Sequence, residues 1–261
     1  MPKRIMNEKQ RHRLEQINSI LEEKAYIPIK ELSEILQVSE MTIRRDFSQF
    51  EPVENISLVN GVILRNPSGE EDAYELSVAG SRKWLEKEAI GKLAVSIIRP
   101  GEVIALDVGT TTEQIARFLT PEMDVTVICF SYNILSRLRH NQFSNIIFGG
   151  GVFREESQTF ESEEAVRLIR KYRINKAFIS AAGVSKDLGI TCMNAYEVPQ
   201  KRAVIESSAE RILVFDSSKY NQVKPAYFAD LDQFQTIITD NQISEEAENC
   251  YREKKIKILK T

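Results

Sequence analysis

Residues 38–50 read Val38-Ser39-Glu40-Met41-Thr42-Ile43-Arg44-Arg45-Asp46-Phe47-Ser48-Gln49-Phe50, and their spacing predicts a helix with two unlike faces. Ile43, Phe47 and Phe50 recur three and four apart, which makes an inward stripe. Ser39 stands before them as an N-cap, its hydroxyl able to accept an otherwise unpaired first-turn N–H. The opposite face carries Thr42, Arg44, Arg45, Ser48 and Gln49, with two adjacent cations near the helix start. A helix-turn-helix presents that end of its recognition helix to base edges in the major groove, where arginine reads guanine bidentately. Double-stranded DNA is the partner this helix predicts, with Ser39, Thr42, Arg44 and Arg45 as its contacts.

The flanking sequence fits the same reading. From residue 7 to 24, Leu14, Ile17, Ile20 and Leu21 recur at helical spacing. Ile27-Pro28-Ile29 interrupts that helix, and Leu32, Ile35 and Leu36 repeat the stripe over a short second one. After Pro52 comes Ile56-Ser57-Leu58-Val59-Asn60-Gly61-Val62-Ile63-Leu64, two β-prone runs around Asn-Gly, a pair that tolerates the positive φ of a tight hairpin turn. Three helices and a hairpin make a winged helix-turn-helix over residues 1–65. On spacing alone a small helical bundle with a solvated charged face remains open.

Charge does not choose between these two. The net charge of −3 gives no overall basic character, and residues 1–65 carry equal numbers of acidic and basic side chains. Any phosphate-binding face must therefore come from sorting charge between faces. The first thirteen residues do sort it, setting Lys3, Arg4, Lys9, Arg11 and Arg13 against Glu8 alone. Arg11, Arg13 and Arg65 are the phosphate contacts expected beside the recognition helix.

Asn66-Pro67-Ser68-Gly69 and the acidic residues after it mark a linker over 66–74. Beyond it a helix is expected over 78–98. Seven β-prone runs follow, over 103–106, 125–130, 145–148, 177–180, 211–215, 236–239 and 256–259, alternating with helical stretches. Such alternation predicts an α/β domain over 75–261, with a mostly parallel sheet covered on both faces. In that architecture ligands sit beyond the carboxyl ends of the strands. The residues there are small and polar: Asp107-Val108-Gly109-Thr110-Thr111-Thr112, Ser131, Gly149-Gly150-Gly151, Ala181-Ala182-Gly183 and Asp216-Ser217-Ser218-Lys219-Tyr220. Singly, each also reads as a turn or a helix cap. Together, hydroxyls, backbone amides at helix starts and one lysine suit a phosphorylated or otherwise anionic small molecule.

Other chemistries find little support. Cys129, Cys192 and Cys250 are scattered and lack metal-ligand spacing, so buried free thiols are expected, with no metal and no cofactor. No run approaches the roughly 18 apolar residues of a membrane span, and the charged N-terminus is unlike a secretory signal, so a cytoplasmic protein is expected. His12 and His140 belong to no nucleophile-base pair. His140 reads as the end of a surface helix, and Glu197 near Thr191 is the one carboxylate that invites an enzymatic reading.

The stretch from Ile29-Lys30-Glu31-Leu32 through Thr42-Ile43-Arg44-Arg45-Asp46 resembles the DeoR family of sugar-catabolism regulators. The resemblance continues through Leu106-Asp107-x-Gly109-Thr110-Thr111, Phe148-Gly149-Gly150, Gly189-Ile190-Thr191 and Asp216-Ser217-Ser218-Lys219. It implies a repressor of carbohydrate genes, a homodimer or homotetramer, whose effector domain resembles ribose-phosphate isomerases and CoA transferases in fold and senses sugar phosphates. It also implies Asp107, Gly109, Thr110, Thr111, Ser131, Gly149, Gly150 and Lys219 as effector-binding residues, and Asp46 as a residue that orients Arg44 or Arg45. Two departures stand out. The family wing motif Arg-x-His-Gly-Gly-Ala is replaced by Ser57-Leu58-Val59-Asn60-Gly61-Val62, and Thr-Asn-Ser by Cys129-Phe130-Ser131. The alternative, a sugar-phosphate isomerase-like enzyme fused to a helix-turn-helix, is opposed by the glycines after Phe148, where isomerases of similar fold place a catalytic lysine.

Overall fold

The computed structural model describes residues 8–24, 26–49, 56–59, 61–65 and 83–261. Helices α1 (Glu8–Glu23), α2 (Ile29–Leu36) and α3 (Glu40–Gln49) pack with strands β1 (Tyr26–Pro28), β2 (Ile56–Val59) and β3 (Val62–Arg65). Leu14, Ile17 and Leu21 of α1, Leu32 of α2, Ile43 of α3 and Ile63 of β3 share one core. Burying such a side chain contributes about 1.5–3 kcal/mol, so the apolar stripe sets how each helix is rotated. Ser39 caps α3 as expected, accepting the Thr42 amide at 3.2 Å. Across the hairpin Val59 faces Val62, and Gly61 takes φ +79°, a conformation that favours glycine. Strand β1 was not foreseen. It pairs with β3 and turns the hairpin into a three-stranded antiparallel sheet, but three residues ending in proline show no periodicity to read. Phe50, Asn60 and the linker 66–74 lie outside the described residues.

The chain then runs through α4 (Trp84–Ser96), β4 (Val103–Leu106), α5 (Thr110–Phe118), β5 (Thr126–Cys129), α6 (Tyr132–His140) and β6 (Ile146–Phe148). Next come β7 (Val152–Arg154), β8 (Thr159–Glu161), α7 (Glu163–Arg170), β9 (Ile174–Ser180), β10 (Gly183–Ser185) and β11 (Gly189–Cys192). The last elements are α8 (Val198–Ser207), β12 (Ser208–Val214), β13 (Ala226–Ala229), β14 (Thr236–Thr239), α9 (Glu245–Glu253) and β15 (Lys257–Lys260).

All seven strands expected from the sequence join one parallel sheet, in the order β15-β14-β12-β9-β4-β5-β6. Its two faces bury separate cores. Ile90, Ile115 and Ile134, from α4, α5 and α6, pack on Ile104 and Val127. Val204 and Tyr251, from α8 and α9, pack with Ile179 and Leu213 on the other side. The strand order explains where a ligand fits. The chain moves outward from β4 to β6, returns to lay β9 beside β4, and then moves away to β15. That reversal leaves a crevice at the carboxyl ends of β4 and β9.

Two features have no counterpart in the strand pattern: the β7–β8 hairpin and a small antiparallel sheet of β10, β11 and β13. Cys129 and Cys192 are buried and Cys250 half-buried, all as free thiols. Among the described residues no helix is long and apolar enough to cross a membrane, and no cluster of acidic, histidine or cysteine side chains could hold a metal ion.

Candidate DNA-binding face and effector cavity

On α3, Ser39, Arg44 and Arg45 are exposed and Thr42 is half-buried. The Ser39 and Thr42 hydroxyls lie 2.9 Å apart, which steadies the first turn. Arg44 extends toward the hairpin, for a Cβ added at Gly61 would stand 3.5 Å from Arg44 Nη2. The recognition helix and the wing thus form one continuous surface. Asp46, expected to orient Arg44 or Arg45, is held by α1. It follows Ile43 by three residues, so it falls on the buried side and faces α1. There it accepts from Arg13 Nε at 3.0 Å, Arg13 Nη2 at 2.7 Å and Gln10 Nε2 at 3.1 Å. Arg13 is therefore a strut between α1 and α3, its side chain only 17% exposed. The side chains of Arg11 and Arg65 lie outside the description.

At the crevice between β4 and β9 a cavity is lined by Gly109, Thr110 and Thr111 after β4, by Ser180, Ala181 and Ala182 at the end of β9, and by Lys219 after β12. Helix α5 begins at Thr110 with no side-chain cap at Gly109. Its first-turn amides have no acceptor within the helix and stand beside the cavity at the positive end of the helix dipole, where an anion would be favoured. Gly109 is required there. Its φ of +145° disfavours any side chain, and a Cβ would meet Ser180 Oγ at 2.7 Å.

The floor is charged and buried. Lys201, on α8, is 1% exposed, donates to Asp107 Oδ2 and to the Ser180 carbonyl, and lies 3.9 Å from Glu197. Burial disfavours its ammonium, but Asp107 and Glu197 outweigh that and hold its pKa above the ordinary lysine value. Burial pushes the Glu197 carboxyl upward, opposed by Lys201 and by a hydrogen bond from Asn194. Lys87 on α4 pairs with Asp216 at 4.0 Å. Lys219 has no ion-pair partner among the described residues. Its loop is held from below: the Ser217 amide donates to Asp240 at 2.7 Å and the Ser218 amide to Asp216 at 3.2 Å. Cys192 also lines the cavity, but burial pushes its thiol up to about 12, which leaves it protonated and unreactive.

Of the sequence-derived set, Gly109, Thr110, Thr111 and Lys219 line this cavity and Asp107 lies fully buried beneath it. Ser131, Gly149 and Gly150 are elsewhere. They follow β5 and β6, on the far side of β4, and the unforeseen hairpin covers that edge: Phe160 N–H donates to the Phe130 carbonyl and Tyr132 N–H to that of Gln158. Gly150 instead lines a surface groove along α7. The sequence reading missed Lys87, Lys201 and Ser180, and it noted Glu197 only as a possible enzymatic group. The available signal was a Glu197/Lys201 pair four apart at the head of the apolar run Ala203-Val204-Ile205.

Residues 83–241 match the family model of the DeoR C terminal sensor domain, and residues 13–62 that of the DeoR-like helix-turn-helix domain. The chain belongs to the DeoR family. Among the relatives of this DeoR-family regulator is an uncharacterized HTH-type transcriptional regulator of Escherichia coli, YgbI, 35% identical over 93% of this chain and 94% of the relative. The deoxyribose operon repressor of Escherichia coli is 30% identical over 97% of this chain and 100% of its own length. Among solved structures, ribose 5-phosphate isomerase A of Methanocaldococcus jannaschii aligns at 19% identity and a TM-score of 0.41, covering 53% of this chain and 55% of the isomerase. The named relatives are transcriptional regulators, so this chain is a DNA-binding transcription regulator and the isomerase alternative is not favoured.

Proposed function

We propose that the protein is a cytoplasmic repressor of carbohydrate-catabolism genes, released from its operator by a phosphorylated sugar or related anionic metabolite bound in the cavity. The observation that carries this reading is the cavity wall, where the uncapped start of α5 at Gly109 and Thr110 and the unpaired Lys219 supply donors and positive charge to one small volume. The names of relatives, a deoxyribose operon repressor and a putative aga operon transcriptional repressor, agree with the sense of control.

In this reading residues 1–65 bind DNA, 66–74 link, and 75–261 sense the effector and assemble a homodimer or homotetramer. One small module rarely supplies enough contacts for a specific site, so paired modules meet repeated half-sites. Thr42, Arg44 and Arg45 read bases, Ser39 steadies their helix, and Arg11 with its neighbours contacts phosphates. A path for the signal lies two residues beyond Lys219. There Asn221 Oδ1 accepts from the Tyr26 hydroxyl of β1 at 3.1 Å, joining the effector loop to the wing sheet. A ligand that moves Lys219 shifts that contact and so favours one placement of the DNA-binding module.

Thermal-shift screening of phosphorylated sugars and polyols identifies the ligand, since binding to the native state raises the unfolding midpoint by mass action. Lys219→Ala is expected to abolish that shift while leaving DNA binding by the free protein intact. A normal shift in the variant removes Lys219 from the site.

A further inference from the structure

Glu197 stands on the cavity wall, 5% exposed, with an incomplete set of partners. Its Oε1 accepts from Asn194 Nδ2 at 2.8 Å. Among the described residues its Oε2 receives no hydrogen bond, the Lys201 ammonium standing 3.9 Å away. That ammonium is already held by Asp107 and by the Ser180 carbonyl, so it cannot swing to Glu197 without abandoning Asp107. A second acceptor close by is also unmet: Asp107 Oδ1 is fully buried with no partner. Buried carboxylate oxygens are costly when no donor reaches them, so this part of the cavity wall calls for donors. The same wall also carries the reverse, the α5 amides and Lys219, which supply donors and positive charge. Such a lining complements a molecule that carries both an anionic group and hydroxyl groups.

We infer that Glu197 is the specificity-determining residue of the effector cavity: its Oε2 accepts a hydrogen bond from a ligand hydroxyl, so that phosphorylated polyhydroxy compounds are selected over simple phosphate anions. The carboxylate acts in two ways. It attracts a hydroxyl donor, and it disfavours a phosphate group beside it, which leaves the anionic group to the α5 amides and Lys219. Lys201, fixed by Asp107, keeps Glu197 from carrying an uncompensated charge. The inference rests on the effector reading proposed above and adds the ligand class and the residue that chooses it.

The test is calorimetric titration of the full chain with inorganic phosphate, ethyl phosphate, glycerol 3-phosphate, ribose 5-phosphate and glucitol 6-phosphate. Wild-type affinity is expected to rise with the number of hydroxyls. Glu197→Gln, nearly isosteric, turns the free acceptor into a donor. Relative to ethyl phosphate, it is expected to bind the tightest hydroxylated compound about tenfold more weakly. A purely structural role would weaken all five equally, so an unchanged ratio between the hydroxylated compound and ethyl phosphate overturns the assignment. The wild-type series decides the matter even where the variant's unfolding midpoint shows a damaged fold. Ethyl phosphate binding as tightly as the best polyol phosphate sinks the role of Glu197 while leaving the cavity as an anion site. Absence of binding by all five overturns both that role and the effector reading beneath it.

Discussion

Replacing Lys201 with methionine keeps most of the side chain's length and removes its charge. In the native fold that ammonium is the counter-ion of Asp107, which is fully buried, and the nearest cation to Glu197. Its loss strands two carboxylates in a buried floor and unties the Ser180 carbonyl at the end of β9. Breaking a buried pair by removing one partner costs about 3–5 kcal/mol. The cost depends on pH through Glu197, whose folded pKa burial raises above the ordinary value. Because the folded state favours the protonated form, stability is highest below the unfolded pKa and falls as pH rises through the folded one. The deficit of the variant should therefore shrink as pH falls and Glu197 takes up a proton. Urea unfolding of both proteins measures it, with the single tryptophan, Trp84, as reporter at the start of α4, its ring 5.3 Å from the Arg117 guanidinium. A loss under about 1 kcal/mol that does not vary with pH would refute the claim that this ion pair holds the cavity floor.

Three further outcomes are expected. Arg44→Ala should weaken specific DNA binding by about 1–3 kcal/mol and leave the unfolding curve unchanged, as measured by fluorescence anisotropy against specific and random duplexes. Asp46→Asn should destabilise the N-terminal module by about 1–3 kcal/mol, because the Arg13 and Gln10 donors lose a charged acceptor, and circular dichroism on heating should register this as an earlier transition. Tyr26→Phe should bind DNA and effector about as well as wild type, yet release DNA less completely when effector is added. An unaltered response would remove the Tyr26–Asn221 contact from the signalling path.

The strands of the sheet were legible because each is a short β-prone run between helical stretches, and in a parallel sheet nothing else is asked of it. The recognition helix was legible for a similar local reason: Ser39, Ile43 and Phe47 announce a cap and a stripe within nine residues. Four of the eight residues expected at the effector site, Gly109, Thr110, Thr111 and Lys219, line the cavity, and strand ends alone had pointed to them. The rest depended on distance in sequence. Lys201 meets Asp107 across 94 residues, and no local pattern announces a buried lysine paired that far away. Ser131, Gly149 and Gly150 occupy the expected kind of position, but they stand at strand ends beyond β4, where a hairpin too short to show alternation pairs with Ser131, and Gly150 opens onto a surface groove. Asp46 follows the same rule, since the helix period places it on the buried face regardless of the arginines beside it in sequence.

The central claim is that the α3 face reads DNA and that a ligand in the cavity controls this reading. Anisotropy titration of the full chain against a duplex from the DNA upstream of its own operon, with and without the phosphorylated compound selected by thermal shift, tests both halves at once. The account predicts tight, salt-sensitive binding that exceeds binding to random duplex and falls when the ligand is added, with Lys219→Ala binding DNA normally but ignoring the ligand. Equal affinity for specific and random DNA, or specific binding that the ligand leaves unchanged in the wild type, would contradict it.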